Sequence, residues 1–332
     1  MALCGYRTGL ITDPARSNWQ QDGARPIAWS AWYPADEPLS IEPPPESFFA
    51  LGDVALNAPV KETGRLPVVL LSHGTGGTAE SLGWLARFLA NEGYVVLAAN
   101  HHGNTGLEPY RAEGFLCWWE RAADLSLLLS ALDEDSIFKG RLDRDDVSAV
   151  GFSLGGYTVL ALAGARTFME TFQAWQKGCG IEETGPKEFP DVGNNVPELL
   201  KTSDAFRQSW ERQSDDYRDQ RVRAVVAIAA APPVRAFSRK SVAEIACPVT
   251  LLTGGADQEA PTLHCADWLT AQNSAFKHYD LGDHVGHYTF LEFPSDRSLI
   301  GREEIFTDHK SVQRRDIHQR AADLVLRGIA RC

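Results

Sequence analysis

The chain has 332 residues, 44% hydrophobic and 23% charged, an ordinary globular composition with length enough for one large domain. Its 32 Lys and Arg stand against 44 Asp and Glu, a formal net charge of −12 with no basic block, which argues against nucleic acid or an anionic membrane as the main partner. No run of about 18 apolar residues is present, so a membrane-spanning helix is excluded.

The opening residues, Met1-Ala2-Leu3-Cys4-Gly5-Tyr6-Arg7, lack the basic stretch and apolar core of an export signal. A cytoplasmic location is therefore the expectation, unless a leader was trimmed. Residues 6–12 and 26–33 read as an antiparallel strand pair, and residues 34–66, rich in Pro and Glu, read as irregular. From there short β-branched runs alternate with helix-length amphipathic stretches, the signature of an α/β sheet protein. Residues 67–72 are apolar throughout, as suits a strand covered on both faces. A helix follows, with Leu82, Leu85, Phe88 and Leu89 on one face and Gly93 placed to stop it. Strands are expected at 94–99 and 146–151, with a helix at 118–132 between them and a small-residue helix at 155–165. Later strands fall at 222–230, 248–254 and 276–281, and the last helix carries the stripe Ile317, Ala321, Leu324, Val325 and Gly328.

One stretch breaks the alternation. Residues 166–221 are too many for a connection that in α/β units takes about 2–6 residues, and they carry aromatics such as Phe172, Trp175, Phe206 and Trp210. Two readings fit and both can hold: a helical insertion packing on the sheet edge, or a cap whose aromatics line a substrate pocket. The organisation expected is a single domain over 1–332 with 166–221 inserted in it. No internal repeat or low-complexity tract is present. The six cysteines (4, 117, 179, 247, 265 and 332) show no C-x-x-C spacing and read as buried thiols rather than a disulfide scaffold.

The most informative string is Gly151-Phe152-Ser153-Leu154-Gly155, a G-x-S-x-G directly after a buried strand and before a small-residue helix. The turn it implies is so sharp that only glycine-sized neighbours avoid a clash, and the hydroxyl of Ser153 then projects at the carboxyl edge of the sheet. A serine hydroxyl needs a base, and the base an orienting acid. Asp257 follows the strand at 248–254, and His287 follows the strand at 276–281, giving the chain order Ser, Asp, His. His284 competes with His287, which is favoured because Gly286 permits a tight loop and Tyr288 and Phe290 can anchor it. Negative charge developing on a substrate oxygen must meet fixed N–H donors. The backbone N–H of Leu154 is one candidate, and the N–H of Thr75, in the loop Ser72-His73-Gly74-Thr75-Gly76-Gly77, is the other. The same loop matches the dinucleotide fingerprint G-x-G-x-x-A over residues 74–79, but no carboxylate ends the next strand to hold a ribose, so no nucleotide cofactor is expected. No histidine or cysteine spacing matches a zinc site, and no metal is expected. His101 and His102 suggest a pocket rim. His102, Trp118, Trp119 and Tyr288 are candidate pocket residues, with a core role the plain alternative for the two tryptophans.

Beyond single motifs, the chain resembles the α/β-hydrolase superfamily, and within it the bacterial predicted dienelactone hydrolases and the platelet-activating-factor acetylhydrolases. The resemblance rests on Tyr6-Arg7-Thr8, Trp32-Tyr33-Pro34, the Ser72–Gly77 loop, Asn100-His101-His102-Gly103-Asn104-Thr105, the elbow Gly151–Tyr157, and Gly286-His287-Tyr288-Thr289-Phe290, in that order along nearly the whole chain. It implies the α/β-hydrolase fold, the triad Ser153, Asp257 and His287, and Thr75 and Leu154 as oxyanion donors. The chain departs from true dienelactone hydrolases, which use a cysteine, and from the elbow H-S-F by placing Phe152 before the serine. The expected function is therefore metal-free serine hydrolysis of a small to medium neutral ester or lactone. An amidase or peptidase with the same triad and a silent ligand-binding scaffold are the alternatives. The sequence leaves the oligomeric state open.

Overall fold

The runs expected to be strands assemble into one mixed sheet. In the computed structural model, which describes residues 3–37, 45–61, 64–134, 137–295 and 303–330, the long strands β1 (Leu3–Ser17) and β2 (Ala24–Ala35) pair antiparallel. The two-residue strand β3 (Ala55–Leu56) touches β1 at the outer edge, and the described residues on either side of it, 45–54 and 57–61, form no other strand or helix. Inward from β2 come β4 (Leu66–Ser72), β5 (Val95–Asn100), β6 (Leu142–Phe152), β7 (Val222–Ile228), β8 (Val249–Thr253) and β9 (Lys277–Asp280). The strand order is β3-β1-β2-β5-β4-β6-β7-β8-β9, parallel from β5 to β9. β5 is buried along its whole length and β4 at every residue but Pro67, which is why these strands read as unbroken apolar runs.

The helices are α1 (Gly83–Asn91), α2 (Ala112–Leu116), α3 (Glu120–Asp133), α4 (Leu154–Leu162), α5 (Met169–Cys179), α6 (Val196–Thr202), α7 (Asp204–Glu211), α8 (Arg239–Ala243), α9 (Ala266–Gln272), α10 (Glu303–Phe306) and α11 (Arg314–Ile329). α4 is buried at every residue, so it is apolar all round rather than striped. α11 turns Ile317, Ala321, Val325 and Ile329 inward and packs on α1, β7 and β8. Helices α5 to α7 lie within the stretch that broke the alternation, as a helical insertion between α4 and β7. Of the cysteines, Cys4, Cys117 and Cys265 are buried thiols, Cys247 is half-buried and Cys179 is exposed; Cys332 falls outside the described residues.

Two consequences position the site. From β4 the chain runs outward to β5 and then returns to β6 on the other side, so the strand order reverses at β4, the crevice where open α/β sheets bind ligands. And α3 turns three charged residues, Glu120, Arg121 and Asp124, into the protein rather than to water. Asp124 receives Arg25 through two hydrogen bonds of 2.8 and 3.0 Å, Arg16 at 2.8 Å, and the Nδ1 of His101 at 3.1 Å. Burial works against its ionisation, but Arg25 and Arg16 outweigh that and hold its carboxyl well below the usual range.

Buried histidines give this fold an acid limit. Burial, then the neighbouring Arg121, pushes His101 from 6.5 down to about 3, although Asp124 opposes the shift. Burial likewise takes His318, stacked on Trp84 with its Nε2 on the carbonyl of Thr289, to about 3. The unfolded chain therefore takes up these protons first. Their contribution is complete above pH 6.5 and is lost as pH falls toward 3. At pH 5 each ring is expected to have removed about 2 kcal/mol relative to pH 7, and urea unfolding at the two pH values measures it. Equal stability at both would contradict the buried neutral rings.

Candidate active site

Ser153 joins β6 to α4 at φ +56° and ψ −118°, a backbone conformation that costs a non-glycine residue of order 1–3 kcal/mol. The turn is this tight because the first turn of α4 lies directly on the end of β4. A Cβ on Gly155 would collide with the carbonyl of Ser72, and one on Gly151 would collide with the backbone of Gly155. The strained residue is pinned from β7 and the loop after it. The N–H of Ser153 donates to the carbonyl of Ile228 at 2.9 Å, and its own carbonyl accepts from Gly156 at 2.9 Å and Ala231 at 3.1 Å.

The structure brings Ser153, His287 and Asp257 into line. His287 opens a short 3-10 turn after β9, and its Nε2 lies 3.0 Å from the Oγ of Ser153. Its Nδ1 lies 2.7 Å from Oδ2 of Asp257, in the turn after β8. The other carboxylate oxygen of Asp257 accepts the N–H groups of Glu259 at 2.9 Å and Ala260 at 2.7 Å, which fixes the carboxylate plane. With an acceptor at Nδ1, the imidazole carries its proton there and turns a lone pair to the serine hydroxyl. The ring of Phe152 packs 4.7 Å from that of His287 and walls one side. Among the described residues, no protein acceptor takes the N–H of Thr75 or of Leu154. The Thr75 loop is braced by Gly76, whose N–H donates to Oδ1 of Asn104 at 2.7 Å and whose carbonyl accepts the hydroxyl of Tyr110 at 2.9 Å.

A cavity of about 1770 Å³ opens over these atoms, with Ser153, His287, Thr75 and Leu154 on its floor. Among the described residues, Trp118, Phe152, Phe172, Trp175, Phe48 and Tyr288 form apolar wall, and the polar wall holds Glu46, Glu108, Glu183, Glu188, Glu259 and one cation, Lys187. Burial, reinforced by Glu259, raises the carboxyl of Glu188 above its ordinary range, with His287 opposing.

Two of the four expected pocket residues are not on that wall. His102 is buried with its Nε2 accepting the N–H of Trp19 at 3.2 Å and its Nδ1 at 2.8 Å from Glu108. The loop folds back under Trp19, whose indole donates to the carbonyl of His102, so the imidazole points away from the cavity and Glu108 takes the rim position. Trp119 is fully buried, its indole donating to Ser209, and it ties α3 to α7 of the insertion. One residue earlier on the same turn, Trp118 points a different way, edge-on to Phe172, and lines the cavity. The competing His284 is exposed and stacks on His309 4.2 Å away. Gly286 sits at φ −92° and uses none of glycine's freedom, whereas Gly282, at φ +131°, makes the bend that delivers His287. Phe172 and Trp175 of α5, named among the aromatics of the 166–221 stretch, do line the cavity, whereas the acidic wall and Phe48 carry no signal in sequence, because nothing in their spacing says what they face.

A serine on so tight a strand-to-helix turn, backed by an imidazole and a carboxylate from later strand ends, is the layout of a nucleophilic hydrolase. The chain belongs to the alpha/beta hydrolase family, whose sequence model matches residues 68–298. It is 30% identical over 178 residues to dipeptidyl aminopeptidase BIII of Pseudoxanthomonas mexicana, a match covering 53% of this chain and 23% of that protein. It is 24% identical over 219 residues to the platelet-activating factor acetylhydrolase of Cavia porcellus, covering 52% and 48%. Among solved structures, the ferulic acid esterase from Streptomyces cinnamoneus superposes with a TM-score of 0.65 at 18% identity, over 99% of this chain and 89% of that one, a likeness of fold.

The strained turn has a measurable signature. Ser153→Gly is expected to be about 1 kcal/mol more stable than Ser153→Ala, since both lose the hydroxyl but only glycine adopts φ +56° freely. Urea unfolding of the pair checks this, and the reverse order would mean that the turn is unstrained.

Proposed function

We propose that the protein is a serine hydrolase of carboxylic esters, including lactones, of small to medium neutral molecules. The observation that carries this reading is the relay from the Oγ of Ser153 through His287 to Asp257, with steps of 3.0 and 2.7 Å. In it, Ser153 attacks the ester carbonyl while Nε2 of His287 takes its proton. Asp257 holds the imidazole tautomer and stabilises the imidazolium. The tetrahedral oxyanion meets the N–H groups of Thr75 and Leu154. His287 then protonates the departing alkoxide, leaving an acyl-serine. Water, deprotonated by the same ring, attacks that acyl group and restores the enzyme. The insertion over 166–221 serves as the cap, with Phe172 and Trp175 of α5 facing the acyl or leaving group.

An esterase and an acetylhydrolase among the related proteins support this reading. The match to an aminopeptidase favours a second one, in which the same triad cleaves an amide. The two differ in leaving-group protonation and pocket shape, and paired p-nitrophenyl ester and p-nitroanilide substrates separate them.

Replacing Ser153 by Ala is expected to lower turnover of a p-nitrophenyl ester on the order of 10⁶-fold, with KM little changed. Turnover at the wild-type rate would remove the assignment. The acidic wall is expected to make neutral p-nitrophenyl butyrate a better substrate than the anionic p-nitrophenyl hemisuccinate by about tenfold or more in kcat/KM at low salt, and by less at high salt. A preference for the anion would contradict the neutral-substrate reading.

A further inference from the structure

Arg121 is 1% exposed, and among the described residues no carboxylate touches it. Its hydrogen-bond acceptors are all uncharged. Its Nε donates to Oγ1 of Thr158 at 3.1 Å; one terminal nitrogen donates to the carbonyl of His73 and to Oγ of Ser72 at 3.3 Å; the other reaches Oδ1 of Asn104 at 3.4 Å. Thr158, Ser72 and His73 belong to the two segments that carry the candidate oxyanion donors, and Asn104, in the loop after β5, bonds one of those segments. The hydroxyl of Thr158 donates to the carbonyl of Leu154 at 3.0 Å, which fixes the first turn of α4. The carbonyl of His73 lies two residues before Thr75, and Asn104 holds the N–H of Gly76, one residue after it. Thr75 is thus braced on both sides through the same guanidinium.

We propose that Arg121 is a positioning residue for the oxyanion hole, clamping the Thr75 loop to the first turn of α4 and setting a positive charge, in direct contact with no carboxylate, beneath the point where substrate oxygen becomes anionic. The proposal rests on the reading of the site given above. A buried cation is costly unless it is paired or its charge is used, and here carboxylate support comes only through space, from Asp124. Asp124, the nearby carboxylate, is already taken by Arg25, Arg16 and His101. Both neighbouring imidazoles are neutral, so they neither repel nor replace the charge: burial, with Arg121 adding to it, holds His73 and His101 below their usual range. Burial pulls Arg121 itself down to about 9, which leaves it cationic at neutral pH. A merely space-filling role would call for an apolar side chain. A fork that joins two separate N–H donors, and brings charge with it, suits a transition state.

The test compares wild type with Arg121→Met, Arg121→Lys and Thr158→Val, using p-nitrophenyl butyrate turnover and inhibition by an aliphatic trifluoromethyl ketone, whose serine adduct is a tetrahedral anion. Arg121→Met is expected to lower kcat by about 10- to 100-fold with KM within about twofold. The inhibition constant should rise by the same factor as kcat/KM falls, because both report the anionic state. Arg121→Lys, which keeps the charge but not the fork, should fall between. Thr158→Val cuts only the arm to α4 and should show a smaller loss of the same kind, about threefold or more; it decides the matter if the Arg121 variants do not fold. Wild-type kcat in folded Arg121→Met or in Thr158→Val overturns the proposal, as does a loss that falls on KM while ketone inhibition is unchanged. Ser153→Ala in the same assay keeps the two levels apart. Its activity would sink the site itself, whereas an inactive Ser153→Ala beside a fully active Arg121→Met would sink only the clamp.

Discussion

The contact that everything else depends on is backbone against backbone. The first turn of α4 rests on the last residue of β4 with no side chain between them, because Gly155 faces the carbonyl of Ser72 and Gly151 faces Gly155. That approach forces Ser153 to positive φ, and two hydrogen bonds to β7 and the loop after it, with a third from Gly156 of α4, keep it there. It also sets the amide of Leu154 beside the loop that carries the amide of Thr75. Sheet, turn and helix therefore prepare the site before any substrate arrives, and chemical groups from β8 and β9 need only reach the same edge.

Beneath the turn lies a second layer, and it is ionic. Asp124 gathers Arg25, Arg16 and His101, while Arg16 also bridges to Glu120 at 2.8 Å and Glu120 in turn holds Ser209 of the insertion. Such networks demand that every member be satisfied, since one missing partner leaves a charge stranded in a low dielectric. The chain draws the partners from elements far apart in sequence: the β1–β2 hairpin, α3, the loops after β4 and β5, and α7. It leaves one terminal nitrogen each of Arg16 and Arg25 without a hydrogen bond among the described residues. The insertion is consequently anchored to the core through Trp119 and Glu120, and its outer aromatics are free to face the cavity.

Most of the sheet was legible in the sequence, because strands covered on both faces must be apolar and the connecting helices are striped where one face meets water, as in α11, or apolar all round where buried, as in α4. The elbow was legible because its sterics admit glycine alone at 151 and 155. His287 was preferred over His284 for a partly mistaken reason, since the flexible point is Gly282 rather than Gly286. His102 and Trp119 misled because adjacent residues on a loop or helix turn point different ways, and only tertiary packing decides which of Trp118 and Trp119 meets the cavity. The charges on α3 were invisible as a network: Glu120, Arg121 and Asp124 on a helix look like a solvated face, and their partners lie in distant segments.

The central claim is that Ser153 is a nucleophile whose acyl oxygen is met by two waiting amides. The most direct measurement is a crystal structure after reaction with an alkyl fluorophosphonate. The account predicts phosphorus on the Oγ of Ser153, with its free oxygen about 2.7–3.1 Å from the N of both Thr75 and Leu154. Phosphorus on any other residue, or a free oxygen directed away from those two amides, would contradict it.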